Sequence, residues 1–477
     1  MTNSKKVKSD GFLFKILEEV LYIVFVILGF YLAFLIRFDM NPPVRNIEPY
    51  FSNIPYMIIA SIIIFYIYDI VSTLKKTLLE NALIIALSLI VIDIVTIAIA
   101  FLNRGFAFPR SVFILGYIIQ FLLIFITKLI ILKMIKSNIE PEDILIIGSK
   151  RELEHISKKI LSDKLNKDNI KYLCEDVDKC TYDLAGNVEK IYIGDSVENK
   201  DKLNIVKYGY DNNINIYLVP DIFDITLTDI KVNQVDDLLI FKIGSLGLTG
   251  EQKLMKRILD LFVSSIGLII ISPVLIIISI IIKLYDRGPI FYKQERVTEN
   301  NKRFNLYKFR TMIVDAEKHT GPTLATDEDP RITPLGKFLR ATRIDELPQL
   351  LNVLKGDMSM VGPRPERPFF VDQFNKEVEG FKYRVSVKAG ITGLAQVLSN
   401  YSTDPETKVK YDLLYIKSYS LLFDIKLIFN TVKTVFMRDQ SKGVMEDEEI
   451  NKKFEELGFK IDDDLDNNDI DKDIMED

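Results

Sequence analysis

Long apolar runs constrain the fold of this 477-residue chain more than any other feature of its sequence. Four of them lie at roughly residues 13–36, 54–72, 81–102 and 112–135, and each approaches the ~20 residues that a helix needs to cross a bilayer. We therefore expect an integral membrane protein whose residues 1–140 form a four-helix transmembrane bundle. Four crossings return the chain to the side of the membrane on which it started.

Basic residues at the ends of these runs indicate the orientation. The first run has no small-residue cleavage site, so it is expected to remain as an uncleaved span. Arginines in the alternate loops include Arg37 and Arg110, which lie at span edges where they can snorkel. We therefore weight the N-terminal lysines and place the N-terminus and the residues after 136 in the cytoplasm. The lysines concerned are Lys5, Lys6, Lys8, Lys15, Lys75, Lys76, Lys133 and Lys136.

A fifth apolar run, residues 258–282, is interrupted by Ser272 and Pro273. One interpretation is a fifth crossing kinked by the proline, because neighbouring groups often bond the carbonyl that a proline leaves unpaired. The other is a re-entrant hairpin over residues 256–284, with the Ser272 hydroxyl bonding a backbone group freed by the break. We favour the hairpin because basic clusters flank the run on both sides, and only re-entry keeps both in the cytoplasm. The clusters are Lys253, Lys256 and Arg257 before it, and Lys283, Arg287, Lys293 and Arg296 after it.

Residues 141–248 alternate short apolar strands with Lys/Glu-rich helical stretches, which is typical of βαβ units on a parallel sheet. The predicted strands include DILIIGS, KIYIGDS and NINIYLVPD. The turn after the first strand keeps one glycine, Gly148, where a dinucleotide-binding turn uses three. We therefore expect a degenerate Rossmann-like module with a structural or regulatory role, and a cofactor-binding module is the alternative.

The charge of the chain is unevenly distributed. Residues 445–477 hold fifteen acidic residues and four lysines, which gives a net charge of −11. The whole chain has a net charge of −5, so the other residues together carry +6. Residues 439–477 are therefore expected to form a disordered acidic tail. Zinc is not expected, because the few cysteines and histidines do not have ligand spacing. They are Cys174, Cys180, His155 and His319.

Two adjacent carboxylates, Asp345 and Glu346, lie at the front of a leucine-spaced helical segment within RIDELPQLLNVLKGDMSMVGPRPERP, residues 343–368. Adjacent residues of a helix project about 100° apart, so the two carboxylates can serve different roles. A carboxylate site repels anionic phosphoryl substrates unless cations surround it, and Mg²⁺ with nearby basic residues can supply that charge without any histidine or cysteine. The candidate cations are Lys308, Arg310, Arg343 and Arg364.

Pro363 and Pro365 restrict the backbone on either side of Arg364 and so orient its guanidinium. Taken singly, these motifs also fit a surface acid pair and a proline-rich turn. Leucines and other apolar residues recur at helical spacing around them and again in residues 421–435, which suits either a core or helices lying in the plane of the lipid headgroups.

From Lys256 to about Arg438 the chain resembles the bacterial polyprenyl-phosphate glycosyl-1-phosphate transferases, the initiating sugar transferases of exopolysaccharide, capsule and O-antigen synthesis. Six ordered segments carry the resemblance: KRILDLFVSSIGLIIISP, FYKQERV, FNLYKFRTM, LRATRIDELPQLLNVLKGDMSMVGPRPE, GITGLAQV and KYDLLYIKSYSLLFDIKLIF. Four membrane helices followed by a Rossmann-like module resemble the large-form members. The resemblance therefore covers nearly the whole chain except the acidic tail.

The resemblance implies a mainly helical catalytic domain over residues 249–438 and a multi-pass protein of the bacterial inner membrane, with its active site on the cytoplasmic face. Asp345 would attack the sugar-linked phosphorus of a UDP-sugar, release UMP and pass the phosphosugar to undecaprenyl phosphate. Asp345 and Glu346 would hold Mg²⁺. The implied phosphate or substrate contacts are Lys308, Arg310, Arg364 and Asp412, and Ser272 and Pro273 match the helix-breaking pair of the family. No nucleic-acid partner is expected, and a homo-oligomer is left open.

The sequence departs from the family pattern at two places, and two other functions are alternatives to the one that the resemblance implies. Asn400 and Tyr401 stand about where many relatives carry an arginine, and Ala389 stands where a proline often precedes GITG. A membrane-anchored nucleotide-sugar dehydratase or epimerase would need a full glycine-rich loop, which residues 142–160 do not provide. A non-catalytic scaffold for polysaccharide assembly would not need the intact carboxylate pair. The identity of the sugar is not readable from the sequence.

Overall fold

A computed structural model describes residues 12–437 apart from short gaps at 72–75, 103–108, 139–140, 163–167, 176, 178, 236–237, 245, 314–328 and 400–403. The acidic tail, the lysines before Phe12, His319, Asn400 and Tyr401 lie outside the described residues. The chain divides into two compact units at Pro220 and Asp221, so the expected domain boundary near residue 248 stays a prediction. The described residues are mostly helical, with several small sheets.

The four long apolar runs of the first unit are helices, as expected. They are α1 (Phe12–Arg37), α2 (Val44–Tyr68), α3 (Leu78–Leu102) and α4 (Arg110–Asn138). Each is long and apolar enough to cross a membrane. Helix α1 packs against α4, α2 against α3, and α3 against α4.

A buried ion pair joins α1 to α4 within this apolar surrounding, and the sequence analysis did not anticipate it. Lys128 Nζ lies 2.8 Å from Glu18 Oε1, and both side chains are almost fully buried. The Tyr22 hydroxyl also donates to Glu18 Oε1 (2.7 Å), and Lys128 Nζ donates to the carbonyl of Ile70 (2.8 Å). Charged side chains between membrane helices need such partners, so this cluster fixes the register of the helices.

The α/β part of the first unit contains the predicted strands. They form one parallel sheet of order β2-β1-β3-β4, with the inner strands β1 and β3 more buried than β4. Its elements are β1 (Asp143–Ile147), α5 (Lys150–Ser162), β2 (Asn169–Cys174), α6 (Lys179–Ala185), β3 (Lys190–Ile193), α7 (Asn199–Asn212) and β4 (Asn215–Leu218).

The turn that follows β1 is occupied by a side chain of the protein itself. Glu152 accepts hydrogen bonds from the backbone N–H groups of Ser149 (2.8 Å) and Ser196 (3.0 Å). A Cβ at Gly194 would lie 2.6 Å from Glu152 Oε1, so the carboxylate rests directly on this backbone. Burial raises the pKa of Glu152, but hydrogen bonds with the side chains of Asp195, Ser196 and Ser149 and with the Ser196 backbone outweigh it and lower the pKa to about 2.

The second unit is mainly helical with three two-stranded sheets among its described residues. Strands β5 and β6, and β7 and β8, form antiparallel hairpins, whereas β9 and β10 pair in parallel. In chain order the elements are α8 (Ile222–Thr226), β5 (Ile230–Val235), β6 (Leu238–Ile243), α9 (Gly250–Asp286), β7 (Phe291–Val297), β8 (Arg303–Phe309), α10 (Pro334–Ala341), α11 (Gln349–Lys355), β9 (Ser359–Val361), α12 (Pro368–Glu377), β10 (Gly390–Thr392), α13 (Leu394–Leu398), α14 (Pro405–Lys417) and α15 (Leu421–Met437).

Helix α9 contains the fifth apolar run and continues across Pro273. Proline has no N–H for the carbonyl four residues before it, which is that of Ile269. The Ser272 hydroxyl donates to this carbonyl at 2.9 Å, as the sequence analysis anticipated. The helix therefore remains one element of 37 residues instead of ending at the proline.

The first half of α9 is anchored to the second unit by a buried polar network. Lys256 Nζ lies 2.5 Å from Asp424 Oδ2 on α15, and the hydroxyl of Tyr415 on α14 donates to the same carboxylate (2.7 Å). One helical turn later, Asp260 accepts a hydrogen bond from the Ser359 hydroxyl at 2.9 Å. These contacts connect α9 to α14, α15 and β9.

The second half of α9 is anchored to the same unit by apolar packing. Ile278 and Ile282 form a buried cluster with Phe309 at the end of β8 and Leu339 on α10. Both halves of the helix therefore pack against one folded unit.

The predicted apolar stripes divide between the core and the surface. Leu339 and Leu350 are buried, whereas Phe338 is 54% exposed, and Leu351 and Leu354 are also exposed. Helices α10 and α11 thus present apolar side chains outward as well as inward. Core packing accounts for the buried part of the stripes, and the interpretation as helices in the plane of the lipid headgroups stays a prediction for the exposed part.

Candidate active site

Asp345 and Glu346 lie in a short 3₁₀ turn, Ile344–Glu346, that connects α10 to α11. The leucine spacing predicted that they lie at the front of a helix, but α11 begins three residues later, at Gln349. Pro348 explains the difference, because it has no N–H to donate and is favoured where a helix starts. The turn begins at Arg343, whose φ of 56° is left-handed.

Three cations surround Glu346. Lys308 Nζ on β8 lies 3.0 Å and Arg364 Nη2 lies 3.1 Å from Glu346 Oε1, and Arg343 Nη1 lies 3.5 Å from Oε2. Burial alone would raise the pKa of Glu346, but the three positive charges hold it well below its usual value. Glu346 is therefore a carboxylate at neutral pH, and it binds three of the four proposed basic residues, Lys308, Arg343 and Arg364.

Asp345 has a different environment from its neighbour. It is only 7% exposed, and no described residue donates a hydrogen bond to its carboxylate. Burial raises its pKa above the usual value, Glu346 adds to the rise, and the charge of Lys308 opposes it. A carboxylate without hydrogen-bond donors keeps its lone pairs available, so Asp345 suits attack on an electrophile. Glu346 instead suits holding the basic side chains around the pair.

Arg340, on α10, is a further cation near Asp345 that the sequence analysis did not select. Its positive charge lowers the pKa of Asp345, and its Nε donates to the Thr311 hydroxyl at 2.9 Å. In the sequence this arginine is one of two in LRATRIDEL, and nothing in the residue spacing distinguishes it. Arg340 stands out only in the structure, because α10 lies beside the 3₁₀ turn that contains Asp345.

Arg310 and Asp412 are placed by other contacts. Arg310 follows β8, and its guanidinium packs so closely on Gly288 that a Cβ there would lie 1.9 Å from Nη1. Asp412 is buried on α14, where it accepts hydrogen bonds from Arg384 Nε (3.0 Å) and Nη2 (2.7 Å). The contacts of these two side chains differ from those of Lys308 and Arg364, which meet at Glu346.

The carboxylate pair fits Mg²⁺. Magnesium is commonly held by one or two protein carboxylates together with substrate phosphates and water. No cluster of three or more acidic, histidine or cysteine side chains occurs within the described ranges, so a cage made only of protein ligands is not seen there. The oxygens of Asp345, which receive no hydrogen bond from any residue the structure describes, are the best candidate ligands, with Glu346 beside them.

Ala389, one of the two departures from the family pattern, has a local explanation. Its backbone N–H donates to the Thr298 hydroxyl (3.1 Å), and its carbonyl accepts from Ser359 N (2.8 Å). A proline at this position would lose the first bond, because it has no N–H. In this chain the hydrogen bond to Thr298, the residue that follows β7, restrains the backbone at Ala389.

Comparison with known proteins places these residues in one family. The family model "Bacterial sugar transferase" matches residues 251–438. The "Putative undecaprenyl-phosphate N-acetylgalactosaminyl 1-phosphate transferase" of Bacillus subtilis is 52% identical over 137 residues, which cover 29% of this chain and 76% of that protein.

Longer relatives match over a smaller share of their length. The UDP-N-acetylgalactosamine-undecaprenyl-phosphate N-acetylgalactosaminephosphotransferase of Aeromonas hydrophila is 42% identical over 42% of this chain and 48% of its own. The UDP-glucose:undecaprenyl-phosphate glucose-1-phosphate transferase of Escherichia coli is 36% identical over 55% of this chain and 57% of its own. The chain thus matches about half the length of these two relatives.

Proposed function

This chain belongs to the bacterial sugar transferase family, and we propose that it transfers a sugar 1-phosphate from a UDP-sugar to undecaprenyl phosphate and releases UMP. The observation that carries the proposal is the pairing of Asp345, a buried carboxylate without hydrogen-bond donors among the described residues, with Glu346, which gathers three cations. Several relatives bear names that describe transfer of a sugar phosphate to undecaprenyl phosphate.

In the first half-reaction, an Asp345 oxygen forms a bond to the sugar-linked phosphorus of the UDP-sugar. The bond from that phosphorus to the bridging oxygen breaks, and UMP leaves with the bridging oxygen and the electron pair. The product on the enzyme is an aspartyl phosphosugar. Lys308 and Arg364 face the place where negative charge accumulates, and fixed cations stabilise such charge without reorganising.

In the second half-reaction, a phosphate oxygen of undecaprenyl phosphate attacks the same phosphorus. The bond to Asp345 breaks, the carboxylate is restored, and the sugar remains joined to the lipid through a diphosphate. One site can then serve a soluble nucleotide and a lipid in turn, which predicts ping-pong kinetics.

Mg²⁺, held by Asp345 and Glu346 with the donor phosphates, would supply additional positive charge at the diphosphate. Within the chain itself, Glu346 maintains the positions of Lys308, Arg343 and Arg364 around the substrate. Arg340 contributes a further positive charge on the side of Asp345.

The membrane setting supports a lipid acceptor. We assign α9 as a re-entrant element, because both of its halves pack against the same unit and its two ends carry basic clusters. A straight crossing would place those ends on opposite faces of the bilayer. The outward apolar side chains of α10 and α11 would then lie at the headgroups, on the cytoplasmic face of the inner membrane.

The α/β part of the first unit has a structural or regulatory role in this proposal. Glu152 already uses the backbone N–H groups of Ser149 and Ser196, which a bound phosphate would otherwise accept from. The parallel sheet and its helices suit a degenerate Rossmann-like module that does not supply the chemistry.

The direct test of function is the nucleotide product. Purified protein in detergent, supplied with undecaprenyl phosphate, Mg²⁺ and one UDP-sugar at a time, is expected to release UMP with at least one member of a panel containing glucose, galactose and their N-acetylated forms. Chromatography distinguishes UMP from UDP, and the panel identifies the sugar. Release of UDP, or no UMP with any member of the panel, would contradict the proposal.

Re-entry of α9 predicts that Lys253 and Arg287 lie on the same side of the membrane. Single cysteines at these positions, in a background without Cys174 and Cys180, should both be protected from a membrane-impermeant maleimide in intact cells and labelled after permeabilisation. A cysteine at Asn41, between α1 and α2, is the control that should react in intact cells. Reaction of only one of the two α9 positions from outside would show that the helix crosses the bilayer.

A further inference from the structure

We infer that Asp412 and Arg384 are positioning residues that hold the turn carrying Arg364, and that neither touches the substrate. The inference rests on the proposed function, because Arg364 is taken to contact the donor phosphates. It reassigns Asp412, which the family resemblance implied to be a direct phosphate or substrate contact. Its basis is the set of hydrogen bonds made by the backbone of residues 363–366.

Four consecutive carbonyls of this turn each accept a hydrogen bond from another part of the second unit. Two of the donors are backbone N–H groups: Gly390 donates to Pro363 O (2.9 Å), and Val297 donates to Glu366 O (3.0 Å). The other two donors are arginine side chains: Arg384 Nη2 reaches Arg364 O (3.1 Å), and Arg296 Nη1 reaches Pro365 O (3.0 Å). The backbone of the turn is thus held at every carbonyl.

Arg384 is itself held in a single position. Its side chain is 8% exposed, and both Nε and Nη2 donate to Asp412 Oδ2. The ring of Phe381 lies 4.8 Å from the guanidinium carbon on another side. Nη1 of the same guanidinium lies 3.9 Å from Glu366 Oε1. A guanidinium held by a buried carboxylate and an aromatic ring directs its Nη2 towards the Arg364 carbonyl.

The side chain and the carbonyl of Arg364 have different partners. Its guanidinium reaches Glu346 (3.1 Å) and is 43% exposed, whereas Asp412 is 1% exposed beneath the turn. Asp412 therefore influences the site through two successive contacts, first with Arg384 and then with the Arg364 carbonyl. Misplacement of a phosphate-binding group by about 1 Å can reduce the rate on the order of 100-fold, so a strong effect of Asp412 on turnover needs no substrate contact.

A double-mutant cycle in the full-length protein tests this inference. We expect Asp412→Asn to lower kcat/KM for the UDP-sugar by about 100-fold, and Arg364→Ala to lower it by at least as much. If Asp412 acts only by positioning Arg364, adding Asp412→Asn to Arg364→Ala should cost less than about 3-fold further. If the loss of kcat/KM in the double variant equals the product of the two single losses, the inference is overturned, because Asp412 then contributes independently of Arg364.

Asp424→Asn is the matched control. Asp424 is also a buried carboxylate paired with one cation in the same unit, but its partners are Lys256 and Tyr415. Its effect on kcat/KM should multiply with that of Arg364→Ala, because the two sites share no partner. A less than multiplicative result with this control as well would indicate general loss of structure and would count against a specific link from Asp412 to Arg364.

Hydrogen exchange provides a readout that does not depend on turnover. In Asp412→Asn the N–H groups of Val297 and Gly390, which donate to the carbonyls of Glu366 and Pro363, should exchange faster than in the wild type, and in Asp424→Asn they should not. Unchanged exchange of these two N–H groups in Asp412→Asn would overturn the inference even if activity falls. Absence of UMP release from the wild type would contradict the proposed function alone, since the exchange result stands without it.

Arg296→Gln gives a second route if Asp412→Asn fails to fold. This variant removes the hydrogen bond to Pro365 O, together with the contacts of Arg296 with Gln294 and Glu366, and leaves the buried Asp412 pair intact. It should reproduce faster exchange of the Gly390 N–H and a less than multiplicative effect with Arg364→Ala. Unchanged exchange in Arg296→Gln would show that the turn keeps its structure without the arginine clamps.

Discussion

Asp345→Asn should reduce UMP release by about 10⁴-fold or more, the scale on which removal of a covalent nucleophile acts. An amide has nearly the shape of the carboxylate but lacks the anionic oxygen that forms the bond to phosphorus. Its neutral side chain also fits the buried position, so the fold should be retained. The measurement is single-turnover UMP release, with mass spectrometry of the peptide containing residue 345.

The wild type mixed with UDP-sugar in the absence of lipid acceptor should carry one additional sugar phosphate on that peptide, and Asp345→Asn should carry none. Asp372→Asn is the control, since it makes the same chemical change at an exposed acid on α12. Normal turnover by Asp345→Asn, or a sugar phosphate attached to another residue, would show that Asp345 is not the nucleophile.

Lys256→Met should lower the free energy of unfolding by about 3–5 kcal/mol. The reason is that Asp424, which is fully buried, would keep its desolvation cost and lose the ammonium group 2.5 Å away. Tyr415 still donates one hydrogen bond to this carboxylate, but it carries no positive charge. Thermal or denaturant unfolding of the purified protein in detergent measures the loss.

The double variant Lys256→Met with Asp424→Leu should recover much of that stability, because removing both charges leaves no unpaired ion in the interior. A single substitution at Lys256 that changes stability by less than 1 kcal/mol would show that water or another group compensates Asp424. The stability of the double variant would also show how far the first half of α9 depends on this network to stay packed on α14 and α15.

The parts of this protein that follow from local patterns were predictable. The four membrane helices follow from apolar runs of sufficient length, and the strands of the parallel sheet follow from short β-branched runs between polar helices. The grouping of Lys308 and Arg364 around Glu346 was expected because a carboxylate site for phosphates requires cations.

Other features depend on contacts between distant segments, and the sequence alone does not distinguish them. In the sequence nothing distinguishes Arg340 and Arg384 from other arginines. Their roles follow from the position of α10 near Asp345 and from the contact of Arg384 with Asp412 on α14. Glu18 and Lys128 are 110 positions apart, and their pairing depends on how α1 meets α4. The late start of α11 shows that a helical repeat of leucines does not by itself locate the first turn of a helix.

The turn of residues 363–366 is restrained through carbonyl groups, which every amino acid possesses, and this has an evolutionary consequence. Its carbonyls accept from two backbone N–H groups and from the side chains of Arg296 and Arg384, and these bonds use no side chain of the turn itself, so the turn suits recognition of the diphosphate that all UDP-sugar donors share. Selectivity between one hexose and another should therefore have diversified in other loops. Exchanging such loops between homologues should change the glycan that a bacterium initiates while leaving this turn untouched.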